Sequence, residues 1–349
     1  MRFFPLRLRL ALAVSVATVM PAPGADLPLV AWEGRTMGTV YRVQLVDPRL
    51  TPSKITTLKN EVALRLQEIN RQMSNYLPGS EISRFNRSSA NKPFPVSPEF
   101  ATVVRFTLEV CKRSDGAFDP TLGPVIALWG FGETTSAHAV PSKDALTAAM
   151  KKTGWRHLSV TDDDALLKDL PGLTINLGGV AKGFGVDEIV RILRRHKVAN
   201  AYVSIAGEVR VLGHSPRGTK WRLGISAPLD QWRENDPMAA IVSLRDRSLS
   251  TSGDYQNFFR DTKGRRQSHI INPRTGAPVR HMLGGVSVVA PDSMTADALG
   301  TTLFVLGPEA GRKFIDSWDG AAALFVVRQP DGSFKQLPSA RFAELTSSE

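Results

Sequence analysis

The chain has a single cysteine, Cys111, so no disulfide can form within it and no Cys-based metal or redox motif is available. Cys111 falls within an apolar helical pattern and reads as a buried small hydrophobe. Internal repeats, heptad runs and low-complexity blocks are lacking. So are zinc-finger spacings and basic stripes interleaved with aromatics, which argues against nucleic-acid binding. Acidic residues are outnumbered, 33 against 44 Lys and Arg, for a formal charge of +11. A basic balance suits an acidic ligand or partner. The N-terminal apolar run, Leu10–Met20, falls short of the about 20 residues that span a bilayer.

What is present is an ordinary globular balance, 42% hydrophobic and 22% charged, with ample material for a large core. Met1–Arg9 carries Arg2, Arg7 and Arg9; Leu10–Met20 is apolar; Pro21–Ala25 is made of small residues and proline. A basic, an apolar and a small-residue region in that order describe a secretory signal, with an uncleaved anchor as the alternative. No twin arginine is present, and no Cys near the cleavage region could carry a lipid. The expected mature protein starts near Asp26, and losing the three arginines lowers +11 to +8.

Hydrophobic spacing predicts helices over Pro52–Met73, from Pro98 to about Arg113 behind a Ser97 cap, and over Ser142–Lys152 and Val186–Lys197. Two more are expected over Asp292–Leu306 and Pro308–Trp318. Strands are expected at Thr39–Leu45, Thr174–Leu177, Ala201–Ser204, Val209–Gly213, Trp221–Ile225, Ala239–Leu244, Val286–Ala290 and Ala322–Val327. The two kinds of element are interspersed without strict alternation, so the expected class is α+β.

Four segments could carry chemistry. Ile175–Gly185 runs from a strand through close glycines into a helix, a form that offers backbone N–H groups to phosphate, with Lys182 as a point charge. It is neither GxGxxG nor a Walker loop, and the same pattern also describes a tight strand-to-helix connection. In Asp292–Leu306, Asp297 and Thr301 are four apart and share one face of an otherwise apolar helix. A carboxylate and a hydroxyl suit a hard cation such as Mg²⁺; a capping or ion-paired Asp is the other reading. In Ser268–Gly276, His269 is a candidate base, or a histidine that shapes a turn. Gly116–Gly123, leading to Leu128–Gly132, offers Asp119 and aromatics that could stack on a planar ligand, or a surface loop pinned by Phe118 and Trp129.

These segments, with Met37–Thr39, Met73–Tyr76, Ser80–Asn86, Ser204–Glu208 and Thr295–Thr301, stand in the order found in the FAD:protein FMN transferase (ApbE) family, which the chain resembles over nearly its whole mature length. The resemblance implies one catalytic domain over residues 26–349 behind a 1–25 signal peptide. It implies Mg²⁺-dependent transfer of the FMN part of FAD to a Thr or Ser of a target protein, through a phosphoester, with release of AMP. Asp297 and Thr301 would supply side-chain metal ligands and Gly179 a backbone carbonyl. Met37, Tyr76, Ala117, Phe118, Asp119, Asn176, Lys182 and Ile271 match positions that line the FAD site. Lys182 and His269 are the catalytic candidates, the first for phosphate charge and the second for the hydroxyl proton. Family targets are flavin-carrying subunits of membrane redox complexes, of the sodium- or proton-linked electron-transfer and nitrous-oxide reduction types. Hydrolysis of FAD to FMN and AMP, or flavin binding without catalysis, are the competing readings. Two positions depart from the family pattern: Ala206 stands where Gly is frequent, and Asn272 where Asp is common.

Overall fold

The structure is a computed structural model that describes residues 27–132, 138–230 and 236–347. The signal-peptide reading of residues 1–25 therefore lies outside the described residues. Among those described, no helix is long and apolar enough to cross a membrane.

An eight-stranded antiparallel sheet organises the chain. Its strands follow one another across the sheet in chain order: β1 (Leu29–Thr36), β2 (Thr39–Val46), β3 (Ala201–Ile205), β4 (Glu208–Leu212), β5 (Arg247–Gly253), β6 (Leu283–Ala290), β7 (Ala322–Arg328) and β8 (Phe334–Pro338). Strands and helices are mixed without a parallel sheet, as the α+β expectation has it. A long excursion between β2 and β3 carries α1 (Pro52–Met73), α2 (Pro98–Arg113) and α3 (Ala181–Arg195). A fourth helix, α4 (Ser293–Asp316), connects β6 to β7.

One face of the sheet receives α3 and α4, and α1 packs behind α3. The buried residues of α1 include Leu58, Val62, Leu66, Ile69 and Met73, which is the apolar stripe its sequence spacing describes. The opposite face is covered by a hairpin of Trp221–Ser226 and Met238–Leu244, together with the short C-terminal helix Phe342–Thr346. β6 lies between the two cores and is buried along its whole length. Val286, Val288 and Ala290 face the helical core, and Val289 faces the hairpin. This two-sided burial explains a strand that is apolar and small throughout rather than alternating.

Several expectations need correction. Thr174–Leu177 is not a strand: Ile175 takes its hydrogen bonds from asparagine side chains and Asn176 N–H donates to Pro120, so no ladder forms. α3 begins at Ala181 instead of Val186, which places Lys182, Gly183 and Gly185 inside its first turns. Gly183 is there for closeness: a Cβ on it would lie 2.2 Å from Ser293 O and 2.8 Å from Met294 Cα. The expected break between Leu306 and Pro308 is real, since Gly307 takes φ 76° and ψ 176° there. β1, β5 and β8 were not expected from the sequence.

The start of α4 is fixed from two sides. The Asp292 carboxylate accepts from Thr295 N at 2.8 Å. Asp187, on α3, accepts from Ser293 N at 3.0 Å and Met294 N at 2.9 Å, and forms an ion pair with Arg210 of β4. Negative charge at a helix N-terminus satisfies orphan donors and complements the dipole.

Two hairpin turns, Met37–Gly38 and Ala206–Gly207, lie at the same end of the sheet and are tied by Ala206 N–H donating to Val40 O at 3.2 Å. Ala206 holds φ 57°, a left-handed backbone that favours glycine.

Two stability predictions follow from these contacts. Asp187→Ala removes one of the two caps of α4 and leaves the mostly buried Arg210 without its ion-pair partner; urea denaturation should show a loss of about 3 kcal/mol. Ala206→Gly relieves about 1–2 kcal/mol of left-handed strain, offset by about 0.4–1 kcal/mol of added chain entropy in the unfolded state. Its midpoint should therefore rise by about 0.5–1 kcal/mol of stability at an unchanged slope.

Candidate functional site

The segment after Ile175 turns on its own asparagine. Asn176 Oδ1 accepts from Gly178 N at 2.8 Å, while Asn176 N donates to Pro120 O at 2.8 Å, which ties the turn to the Gly116–Pro120 loop. Gly179 follows at a crowded point. A Cβ there would meet Phe118 Cε2 at 3.0 Å and Thr301 Oγ1 at 3.1 Å, so any larger residue would push Phe118 or Thr301 aside. The glycine turn and the Asp297–Thr301 helix, separate in the sequence, are in contact.

Lys182, in the first turn of α3, joins the parts electrostatically. Its ammonium donates to Gly178 O at 3.0 Å, lies 3.1 Å from Glu208 Oε1 and stands 3.8 Å from Asp297 Oδ1. Asp297 is buried, and its other oxygen accepts from Gly183 N at 3.0 Å. Burial pushes the Asp297 carboxyl up to about 7; the nearby Lys182 charge opposes that push and Glu208 adds to it. Burial alone would drag the Lys182 ammonium down, but Asp297 and Glu208 together hold it above the usual lysine value. Two carboxylates thus face one ammonium, which leaves a local excess of negative charge that a further cation would relieve.

Glu208 carries no role in the sequence reading, although it closes the Ser204–Glu208 motif. A buried acid directly after a tight turn was the available signal; its partners 26 and 89 residues away (Lys182 and Asp297) were not.

These groups open into a cavity of about 1160 Å³. Its lining includes every site residue that the family resemblance implies: Met37, Tyr76, Ala117, Phe118, Asp119, Asn176, Gly179, Lys182, His269, Ile271, Asp297 and Thr301. Met37 sits in the β1–β2 turn at φ 50°, with its methyl group close against Gly185. Tyr76 stands at the rim, 72% exposed, whereas Phe118 and Ile271 are buried in the wall.

Asp119 is largely committed to its own loop. One oxygen accepts from Thr121 N at 2.8 Å and Thr121 Oγ1 at 2.6 Å, the other from Trp155 N at 3.2 Å, and burial raises its proton affinity. Trp129 is no stacking partner: it is buried beside Leu122 and Val125, and its indole N–H donates to Gly276 O at 2.8 Å. Phe131 faces the cavity instead.

His269 Nδ1 lies 3.0 Å from Asn257 O. A carbonyl can only accept, so Nδ1 carries the proton and Nε2 keeps its lone pair. Burial holds the imidazolium below its ordinary pKa; the Asn257 carbonyl resists this and the Lys182 charge reinforces it. His269 is thus a neutral acceptor near pH 7. The neighbouring Asn272 caps its own turn, accepting from Arg274 N at 2.9 Å.

The donors beside the glycine turn are all oxygens: the Asp297 carboxylate, the Thr301 hydroxyl and backbone carbonyls. Among the described residues no cluster of three or more His, Cys, Asp or Glu is arranged to cage a metal. A sparse oxygen set of this kind fits Mg²⁺, which keeps waters and takes substrate phosphate oxygens as ligands.

Known proteins resemble the chain in sequence and in fold. The model of the ApbE family matches residues 37–325. The chain is 36% identical over 337 residues to an FAD:protein FMN transferase of Vibrio cholerae, covering 96% of this chain and 98% of that one. It is 34% identical over 332 residues to the FAD:protein FMN transferase of Escherichia coli K12, covering 94% and 92%. The solved structure of the flavin transferase ApbE from Vibrio cholerae superposes with a TM-score of 0.83 at 36% identity, over 91% of this chain and 99% of that one. The apo form of the Pseudomonas stutzeri flavinyl transferase ApbE gives a TM-score of 0.83 at 36% identity, over 93% and 98%. On sequence and fold together, the chain belongs to the ApbE family.

Proposed function

We propose that the protein is an exported, Mg²⁺-dependent FAD:protein FMN transferase. The observation that carries the reading is the meeting of Lys182, Glu208, Asp297, Thr301 and the glycine turn in one cavity. At about 1160 Å³ that cavity exceeds the roughly 300–1000 Å³ usual for ligand pockets, which leaves room for a dinucleotide. The N-terminal pattern of Arg2–Arg9, Leu10–Met20 and Pro21–Ala25 supports export, and the acceptor is then a flavin-carrying subunit of a membrane redox complex.

In this reading the diphosphate of FAD lies over the Asn176–Gly179 turn, beside the Lys182 ammonium, whose point charge attracts anions. Gly179 O, Asp297 and Thr301 would hold Mg²⁺, which would supply positive charge to neutralise the diphosphate. An acceptor Thr or Ser oxygen attacks the phosphorus on the FMN side. The bond from that phosphorus to the bridging oxygen breaks, and AMP leaves with that oxygen. His269 Nε2 takes the hydroxyl proton. Most of the acceleration comes from positioning and charge, because phosphoryl transfer needs little covalent chemistry from the protein.

The direct test incubates the mature protein with FAD, Mg²⁺ and a folded acceptor domain. A covalent fluorescent band should appear, with AMP released only when the acceptor is present. AMP release that ignores the acceptor would point to a hydrolase. Asp297→Ala should abolish the band while unfolding stays cooperative; full activity in that variant would refute the metal assignment.

A second test reads pH. His269 works only when neutral, and burial lowers its pKa from 6.5, so its acid limb should lie below pH 6.5 in single-turnover transfer at saturating Mg²⁺. His269→Gln should lower the plateau by about 10²–10⁴-fold and remove that limb. An unchanged limb would assign it to another group.

A further inference from the structure

Neither the Ser80–Asn86 motif nor Lys168 lines the cavity, yet both are costly to keep. Lys168 has 1% of its surface exposed. Among the described residues its ammonium meets no carboxylate. It donates instead to three backbone carbonyls: Phe85 O at 3.0 Å, Asn86 O at 3.0 Å and Leu173 O at 2.9 Å. A buried charge without a counter-ion persists only where dipoles replace its water. Here two of those dipoles belong to the last turn of the short helix Glu81–Arg87, and the third opens the segment that leads to the glycine turn.

Asn86 completes the connection. Its side chain accepts from Ile175 N at 2.7 Å and donates to Ile175 O at 2.9 Å, the pair of bonds a neighbouring strand would make. Asn75 donates to the same carbonyl at 3.0 Å, and Ser83, from within the motif, donates to Asn75 O at 3.2 Å. One residue later comes Asn176, whose side chain sets the Gly178 turn. The irregular stretch 173–177, which lacks ladder partners, therefore owes much of its position to side chains, alongside backbone bonds from Leu173 N to Leu170 O and Asn176 N to Pro120 O.

We infer that Asn86 and Lys168 are positioning residues for the cofactor turn: they substitute for a missing strand and set where Asn176–Gly179 stands relative to α4. The inference rests on the proposed flavin reading for what the turn binds, but not for the clamp itself. Asn86→Asp keeps the acceptor for Ile175 N and puts a carboxylate oxygen against Ile175 O. Lys168→Met keeps the stem and removes the charge. Both should loosen the turn while α3 and α4 remain formed.

The test compares wild type, Asn86→Asp, Lys168→Met and a control, Phe342→Ala, which weakens the opposite core and touches neither clamp nor cavity. Hydrogen exchange of the ligand-free proteins should show faster exchange at residues 173–179 in both clamp variants, by tenfold or more beyond any global change, and no such local effect in the control. Equilibrium titration of FAD at fixed Mg²⁺, read by flavin fluorescence, should weaken at least tenfold in the clamp variants only. Loss of stability with exchange at 173–179 and FAD affinity no different from the control would overturn the inference, as would faster exchange with unchanged affinity. If wild type itself fails to bind FAD, the flavin reading falls, and local exchange alone decides whether the clamp exists.

Discussion

The Lys182 ammonium stands 3.1 Å from Glu208 and 3.8 Å from Asp297, and donates to Gly178 O at 3.0 Å. Each of these partners comes from a different part of the chain: the first residue of β4, the first half of α4 and the glycine turn. Burying two acids so close together would be prohibitive without a cation between them. The rest of the site depends on that arrangement. α3 must start early enough to place Lys182 in its first turn, α4 must be held at its N-terminus, and the backbones of both helices must come within reach of one carboxylate.

Glycine makes that approach possible. Gly183 allows its own N–H to reach Asp297 while its Cα passes the first residues of α4, and Gly179 lets the turn lie against Thr301 and Phe118. The glycines that read as a phosphate-binding loop in sequence therefore also serve helix packing. Substituting either one would displace a neighbour's backbone or a wall of the cavity, so the fold and the site make the same demand at these positions.

What could be read in advance follows the range of the interaction. The apolar stripe of α1, the Gly307–Pro308 break in α4 and the two-sided burial of β6 are local patterns, and local physics sets them. β5 could not be read that way. Its run of Ser248, Ser250 and Ser252 resembles a loop until α4 supplies partners such as Ser293, whose hydroxyl donates to Ser248 at 3.0 Å. The stretch 174–177 failed in the opposite sense, reading as a strand although asparagine side chains and a lone bond to Pro120 O take the place of a ladder. The members of the site were visible as ordered motifs, but Glu208 acquires its meaning only from Lys182 and Asp297, which no short window contains.

The cavity draws Met37 from the first hairpin, Asn176 and Lys182 from the excursion, Glu208 from mid-sheet and Asp297 from the last long helix. A polypeptide that emerges N-terminus first has no such pocket until β6 is in place and α4 has docked on it. Before that moment the glycine turn faces neither Thr301 nor Asp297, and the chain offers a nucleotide only scattered groups. Completion of the fold is in effect the assembly step of the site. A nascent or threaded chain would thus travel without its cofactor, and would take it up only where folding finishes.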